Sequence, residues 1–184
     1  MADRSAPPSL ALVQDLANTL DIDDGRDALA APGGLAAFLR EHGLPTVPAG
    51  KRELAAAQRL REALRAACLA HTGRDVPEET GRTLAALLAD APLTLTVDAR
   101  GEAALGPAPG LTGVAALTAR IAAGIAAAAA DGSWRRLKAC EDHDCLWVFY
   151  DRSPAGRGRW CSMALCGSRA KMRSYRARRT GESG

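Results

Sequence analysis

The chain is poor in aromatic residues: Phe, Trp and Tyr make up 4% of its 184 positions. Its apolar fraction, 47%, is still that of a globular protein, so disorder is not the default. Ala and Leu supply most of that fraction, and both are strong helix formers, which points to a helical body. A core built on Ala removes little apolar area per residue, at about 25 cal/mol per Å² buried. Such a body needs several packed helices or a staple elsewhere. Long apolar runs are also scarce. Leu10 to Val13, broken by Gln14 and Asp15, is too short for a secretory signal. Leu111 to Ala130 is longer, but it is mostly Ala and carries Arg120 near its middle, which argues against a bilayer span. The expectation is a cytoplasmic protein without a membrane contact. There is no Gly-rich phosphate loop, no Ser–His–Asp arrangement and no carboxylate pair placed for acid–base work, so no enzyme is expected. No internal repeat is found.

What is present reads mainly as helix. Apolar spacing predicts helices over Ser9 to Leu20, with Ser9 as N-cap, over Gly34 to Glu41, and over Lys51 to Ala70. In the last of these, Leu54, Ala57, Leu60, Leu64 and Ala67 form one stripe, with Arg59, Arg61, Glu62 and Arg65 mostly outside it. Asp21 to Asp27 reads as an acidic loop. Pro77 with Glu78 and Glu79 opens a helix that runs to about Ala89. Leu93, Leu95 and Val97 then alternate with polar residues as a strand, returning through Ala103 to Leu105 as a hairpin. Leu111, Val114, Leu117, Ile121 and Ile125 mark a long helix that ends near Asp131–Gly132. His42 and His71 fall at helix ends, where a cation suits the dipole. Cys68 reads as a small core residue.

Composition and charge both change at Asp131–Ser133, the expected domain boundary. From Trp134 onward there are twelve Lys/Arg against five Asp/Glu, a balance of +7, whereas the preceding 133 residues carry −4. A basic segment suggests an anionic partner. Four of the five cysteines form a regular set, Cys140-x4-Cys145, fifteen residues, Cys161-x4-Cys166. Two close pairs can place four thiolates on a tetrahedron, the geometry of a structural zinc site with no open position. An iron–sulfur cluster and buried free thiols are the alternatives, and His143 is a rival ligand. Leu146 to Tyr150 is β-rich, and five of the seven aromatic residues lie between Trp134 and Trp160, enough for a mini-core but not for a module that folds without metal. Arg157 to Arg179 carries eight Lys/Arg and no acid. Gly167 to Arg179 reads as a helix with Arg169, Arg173 and Arg176 on one face and Lys171 and Arg178 on a neighbouring stripe.

Trp134-Arg135-Arg136-Leu137-Lys138-x-Cys140, Cys145-x-Trp147-x-Phe149-x-Asp151-x-Ser153 and Arg159-Trp160-Cys161-Ser162-Met163-x-x-Cys166-Gly167-x-Arg169-x-Lys171 resemble the CGNR zinc finger. Its Cys-Gly-Asn-Arg signature here has Ser168 for Asn; both residues can cap a helix. Upstream, Leu16 to Leu20 and the helical layout are similar to the ABATE domain that precedes this finger. The resemblance implies a bacterial-type, stress-responsive transcription regulator whose finger binds double-stranded DNA. The expected fold is mainly α with a small β-hairpin, α+β. A helical sensor or dimerisation domain would span residues 1–131, and a treble-clef-like module with four cysteine ligands residues 132–184. Zinc would be held by Cys140, Cys145, Cys161 and Cys166. DNA would be gripped by Arg169, Arg173 and Arg176, with Arg157, Arg159 and Lys171 adding phosphate contacts. An unidentified small-molecule effector and a homodimer are compatible with this reading. The rivals are a protein-interaction adaptor presenting Trp147 and Tyr150, and a thiol-based redox switch.

Overall fold

Helix α1 spans Pro8–Ala17, so it stops short of Leu20, where its apolar spacing placed the end. Proline suits the first turn, and the helix is entered through a backbone bond from Leu10 N–H to the Pro7 carbonyl (2.8 Å), so Ser9 is not the cap. The computed structural model describes residues 4–46 and 50–181; the side chain of Arg179, counted above in the basic run, lies outside the described set. After α1 come a two-residue hairpin, β1 (Leu20–Asp21) and β2 (Arg26–Asp27), then α2 (Gly34–Glu41), α3 (Lys51–Ala70) and α4 (Glu78–Ala89). The hairpin of β3 (Leu93–Val97) and β4 (Ala103–Pro107) pairs Leu95 with Leu105. Helix α5 (Gly113–Ala130) and a 3-10 turn lead into β5 (Leu137–Ala139), β6 (Val148–Tyr150), a π-type turn over Met163–Gly167 and α6 (Ser168–Gly181).

The core lies between α1, α3 and α5. Leu10, Val13 and Leu16 meet Leu60, Leu64 and Cys68 and, from α5, Leu117 and Ile121. Each large side chain stabilises the fold by about 1.5–3 kcal/mol, and alanines let the helices approach closely. Where α5 crosses α1, a Cβ on Gly124 would collide with the Ser9 carbonyl oxygen. Helix α5 is apolar and long enough to cross a membrane, yet Val114, Ala116, Leu117, Ala119 and Ile121 are buried in this core.

Two arginines expected outside the α3 stripe are buried instead. Arg61 reaches both carboxylate oxygens of Asp27 (2.7 and 3.0 Å), and burial of Asp27 is outweighed by these bonds, so its pKa falls. Arg65 donates to the carbonyls of Ala17 (2.5 Å) and Leu20 (2.9 Å). The last carbonyls of a helix have no partner within it; here a guanidinium from α3 supplies one, and the acidic stretch folds into a hairpin around Asp27.

The boundary in composition is not a boundary in packing. Leu137, Ala139 and Val148 belong to the same hydrophobic cluster as the helices. Asn18 pairs with Val148 as a strand would: its Nδ2 donates to the Val148 carbonyl and its Oδ1 accepts from the Val148 N–H, both at 2.8 Å. His71 is also part of this seam. Its Nδ1 lies 2.7 Å from the Leu137 carbonyl, and its ring meets Trp134 edge-on at 4.9 Å. Burial lowers its pKa, so it is a neutral donor and not the dipole-compensating cation expected from its place at a helix end.

The crossing at Gly124 yields a paired test. Gly124→Ala should destabilise the protein by about 1–3 kcal/mol, because α1 and α5 must part. Gly81→Ala in α4, where nothing lies within 4 Å of a new Cβ, should stabilise it by up to about 1 kcal/mol through helix propensity. Urea unfolding followed by circular dichroism measures both.

Candidate metal centre and basic helix

Strands β5 and β6 pair antiparallel, Leu137 with Tyr150 and Ala139 with Val148, and the knuckle between them carries the first cysteine pair. Cys145 and Leu146 N–H both donate to the Asp142 carbonyl (2.9 and 3.0 Å), and Cys140 N–H donates to Trp147 O (2.9 Å). The tight return puts Leu146 at φ 49°, a left-handed conformation disfavoured for a bulky side chain. The second pair is brought alongside by Glu141 N–H donating to Arg159 O (2.9 Å). Cys166 then sits in the π-type turn that starts α6. Ser162, not Ser168, caps this turn, its Oγ accepting from Leu165 N–H at 3.3 Å. The Ser168 hydroxyl points back to the Met163 carbonyl (3.3 Å).

The four sulfur atoms lie within 4.8 Å of one another, with Cys145–Cys161 at 3.6 Å and Cys161–Cys166 at 3.7 Å. A tetrahedron with Zn–S of about 2.3 Å has edges of about 3.8 Å. The acid–base balance agrees. Hydrogen bonds from the Cys145 and Cys161 thiols push the Cys140 pKa down to about 2. Donating to that thiolate pushes Cys145 and Cys161 up, while burial and the Cys140 charge push Cys166 up to about 12. Four thiolates this close repel one another, so ionising all of them calls for a cation between them. The cluster fits one structural zinc. His143 stands outside it, on the exposed side of the knuckle, 3.2 Å from Asp144.

Sequence reasoning missed the buried ion pair that shapes the loop between β6 and Cys161. Lys138 Nζ is 3.0 Å from Asp151 Oδ2 and also donates to the carbonyls of Gly156 (2.5 Å) and Gly158 (3.2 Å). Asp151 accepts further from Ser153 and Gly158 N–H (3.0 and 2.6 Å). Burial raises the Asp151 pKa, but these bonds outweigh it and hold the carboxyl well below its usual range. A Cβ on Gly158 would lie 2.8 Å from the Asp151 carboxyl carbon, so only glycine fits there. The signal was the Lys138 and Asp151 of the family pattern, read only as charge and motif.

The basic residues divide into two groups. Arg159 forms a two-bond pair with Glu141 and stacks over Trp160 at 5.0 Å, fastening the second pair to the knuckle. Arg169 bridges to Asp23 of the β1–β2 loop (2.9 Å), and Arg173 Nη2 lies 3.1 Å from the buried Asp142. The face of α6 expected to meet DNA thus turns its first two arginines toward acidic groups of the same chain. Arg157, Lys171 and Arg176 are exposed, as is every described side chain of α6 from Lys171 on.

Two outcomes test the centre. Asp151→Asn should lower stability by about 3–5 kcal/mol, because Lys138 is left buried without a counter-charge. Adding Lys138→Met should recover part of that loss, which a double-mutant cycle in urea reads directly. Cys161→Ser should lose zinc, by elemental analysis, and lower the melting temperature of the helices too, since Leu137 and Val148 lie in their core.

Residues 10–132 match the ABATE family, described as "Putative stress-induced transcription regulator", and residues 136–179 match the CGNR zinc finger. No curated protein matches the chain. With about two thirds of its length matched by the first of these, the chain belongs to the ABATE family and carries a CGNR zinc finger.

Proposed function

We propose that this cytoplasmic, non-catalytic regulator binds duplex DNA through its zinc module, with Cys140, Cys145, Cys161 and Cys166 as metal ligands and α6 as the principal contact. One observation carries the reading. The +7 balance from Trp134 onward is concentrated on a module whose helix projects into solvent, exposed from Lys171 to Arg178. A rigid basic helix of that kind can enter a major groove and neutralise phosphates. Four thiolate ligands would leave a bound zinc ion no open position for chemistry; by holding Cys140, Cys145, Cys161 and Cys166 together it would fix where α6 leaves the hairpin. Arg157, exposed in the loop before Cys161, adds a phosphate contact at the edge of the same module.

An adaptor reading is favoured by Met163 and Leu165, which are 63% and 62% exposed on the π-type turn. Salt separates the two readings. Binding to a random-sequence duplex should weaken with salt along a log–log slope of about −3 to −5 for roughly three to five phosphate contacts. Arg157→Ala should reduce that slope by about one. A salt-insensitive complex would favour apolar docking.

A further inference from the structure

The arginines of α6 lie on two stripes that the protein treats differently. Arg169, Arg173 and Arg176 recur at i, i+4 and i+7. So do Lys171, Tyr175 and Arg178, about half a turn away round the helix. Arg173 lies at ion-pair distance from Asp142 (3.1 Å), whose carboxylate is fully buried and has no hydrogen-bond partner among the described residues; the His143 ring is farther, at 3.8 Å. Removing Arg173 to a phosphate would leave a buried carboxylate uncompensated, which is strongly disfavoured. Arg169 holds Asp23 on the same side. That bridge is partly exposed and individually weak, but it ties the same face to the helical body. Two of the three inner arginines, Arg169 and Arg173, are therefore already engaged.

The outer stripe faces solvent. Lys171 and Arg178 are exposed and form no ion pair among the described residues, and Tyr175 is 51% exposed, with Met172 beside it at 52%. Between Ser168 and Arg178 there is no acidic residue to repel a phosphate. A lysine and an arginine with a phenol between them carry donors for guanine edges, and Met172 offers an apolar contact for a thymine methyl. We infer that Lys171, Tyr175 and Arg178 form the DNA-reading edge of α6, and that Arg169 and Arg173 are struts that set the helix angle. This assignment rests on the DNA-binding reading above.

The experiment uses the full-length, zinc-loaded protein and fluorescence anisotropy on two duplexes: one selected by the wild type from a random pool, and a scrambled duplex of the same composition. Lys171→Ala and Arg178→Ala should each weaken binding to the selected duplex about 5-fold or more. Tyr175→Ala should narrow the preference for the selected over the scrambled duplex. Arg169→Ala and Asp23→Asn should stay within about 2-fold of wild type, as for a surface pair. Zinc content and circular dichroism verify the fold of each variant. If Arg169→Ala causes the largest loss and Asp23→Asn tightens binding, the inner stripe is the reading edge, masked by the loop, and the assignment is overturned. If wild type binds but the outer triple alanine variant binds equally well, the assignment alone fails. If wild type binds neither duplex, the DNA reading fails and takes the assignment with it.

Discussion

Everything downstream of residue 132 depends on a seam. A hairpin of two three-residue strands cannot bury enough apolar surface to hold itself. Here Leu137, Ala139 and Val148 are covered by helices, and the backbone of Val148 is satisfied by the Asn18 side chain. Gln14 adds a bond to the same carbonyl (3.1 Å), and His71 engages Leu137 from the other side. Zinc then needs to organise only the knuckle, the second cysteine pair and the start of α6. The division of labour is physical: hydrophobic burial orients the hairpin, and the metal orients the helix.

Much of this was legible in the residues. Helices α2 and α3 appear where periodicity placed them, because apolar spacing and packing agree there; the strand Leu93–Val97 also forms as its alternation predicts, although Leu95 and Val97 stay exposed. The cysteine spacing located the metal centre, since few other functions use four thiols in two close pairs. The rest depended on partners distant in sequence. Nothing local marks Arg61 and Arg65 as buried; their burial follows from Asp27 and from the open carbonyls at the end of α1. Strand β5 is three residues long and reads as part of a basic run, becoming a strand only because β6 and α3 lie against it. A helical wheel of α6 shows which arginines share a face but not which face meets Asp23 and Asp142.

The acidic residues of the finger are as consequential as the basic ones. Glu141, Asp142 and Asp151 each meet a cation of the same module, two of them between or beside metal-site cysteines. Three of the twelve Lys/Arg from Trp134 onward are therefore internal scaffolding, in pairs that leave the net +7 unchanged. What remains for an outside anion is Arg157, Lys171, Arg178 and their neighbours, a smaller and better-defined surface than the raw count suggests.

The segment ahead of α1 has a practical side. The Arg4 carbonyl accepts from Tyr150 N–H (2.9 Å), the Arg4 guanidinium covers the Phe149 ring at 4.9 Å, and Arg152 donates to the Ser5 carbonyl (2.9 Å). This arm lies along the open edge of β6, so the amino-terminal and carboxy-terminal regions of the chain meet on the zinc module. A purification tag or fluorescent fusion placed ahead of Arg4 would emerge beside the finger, although the two are far apart in sequence, and would crowd that surface. A label at the β3–β4 hairpin tip, around Arg100, would leave it clear.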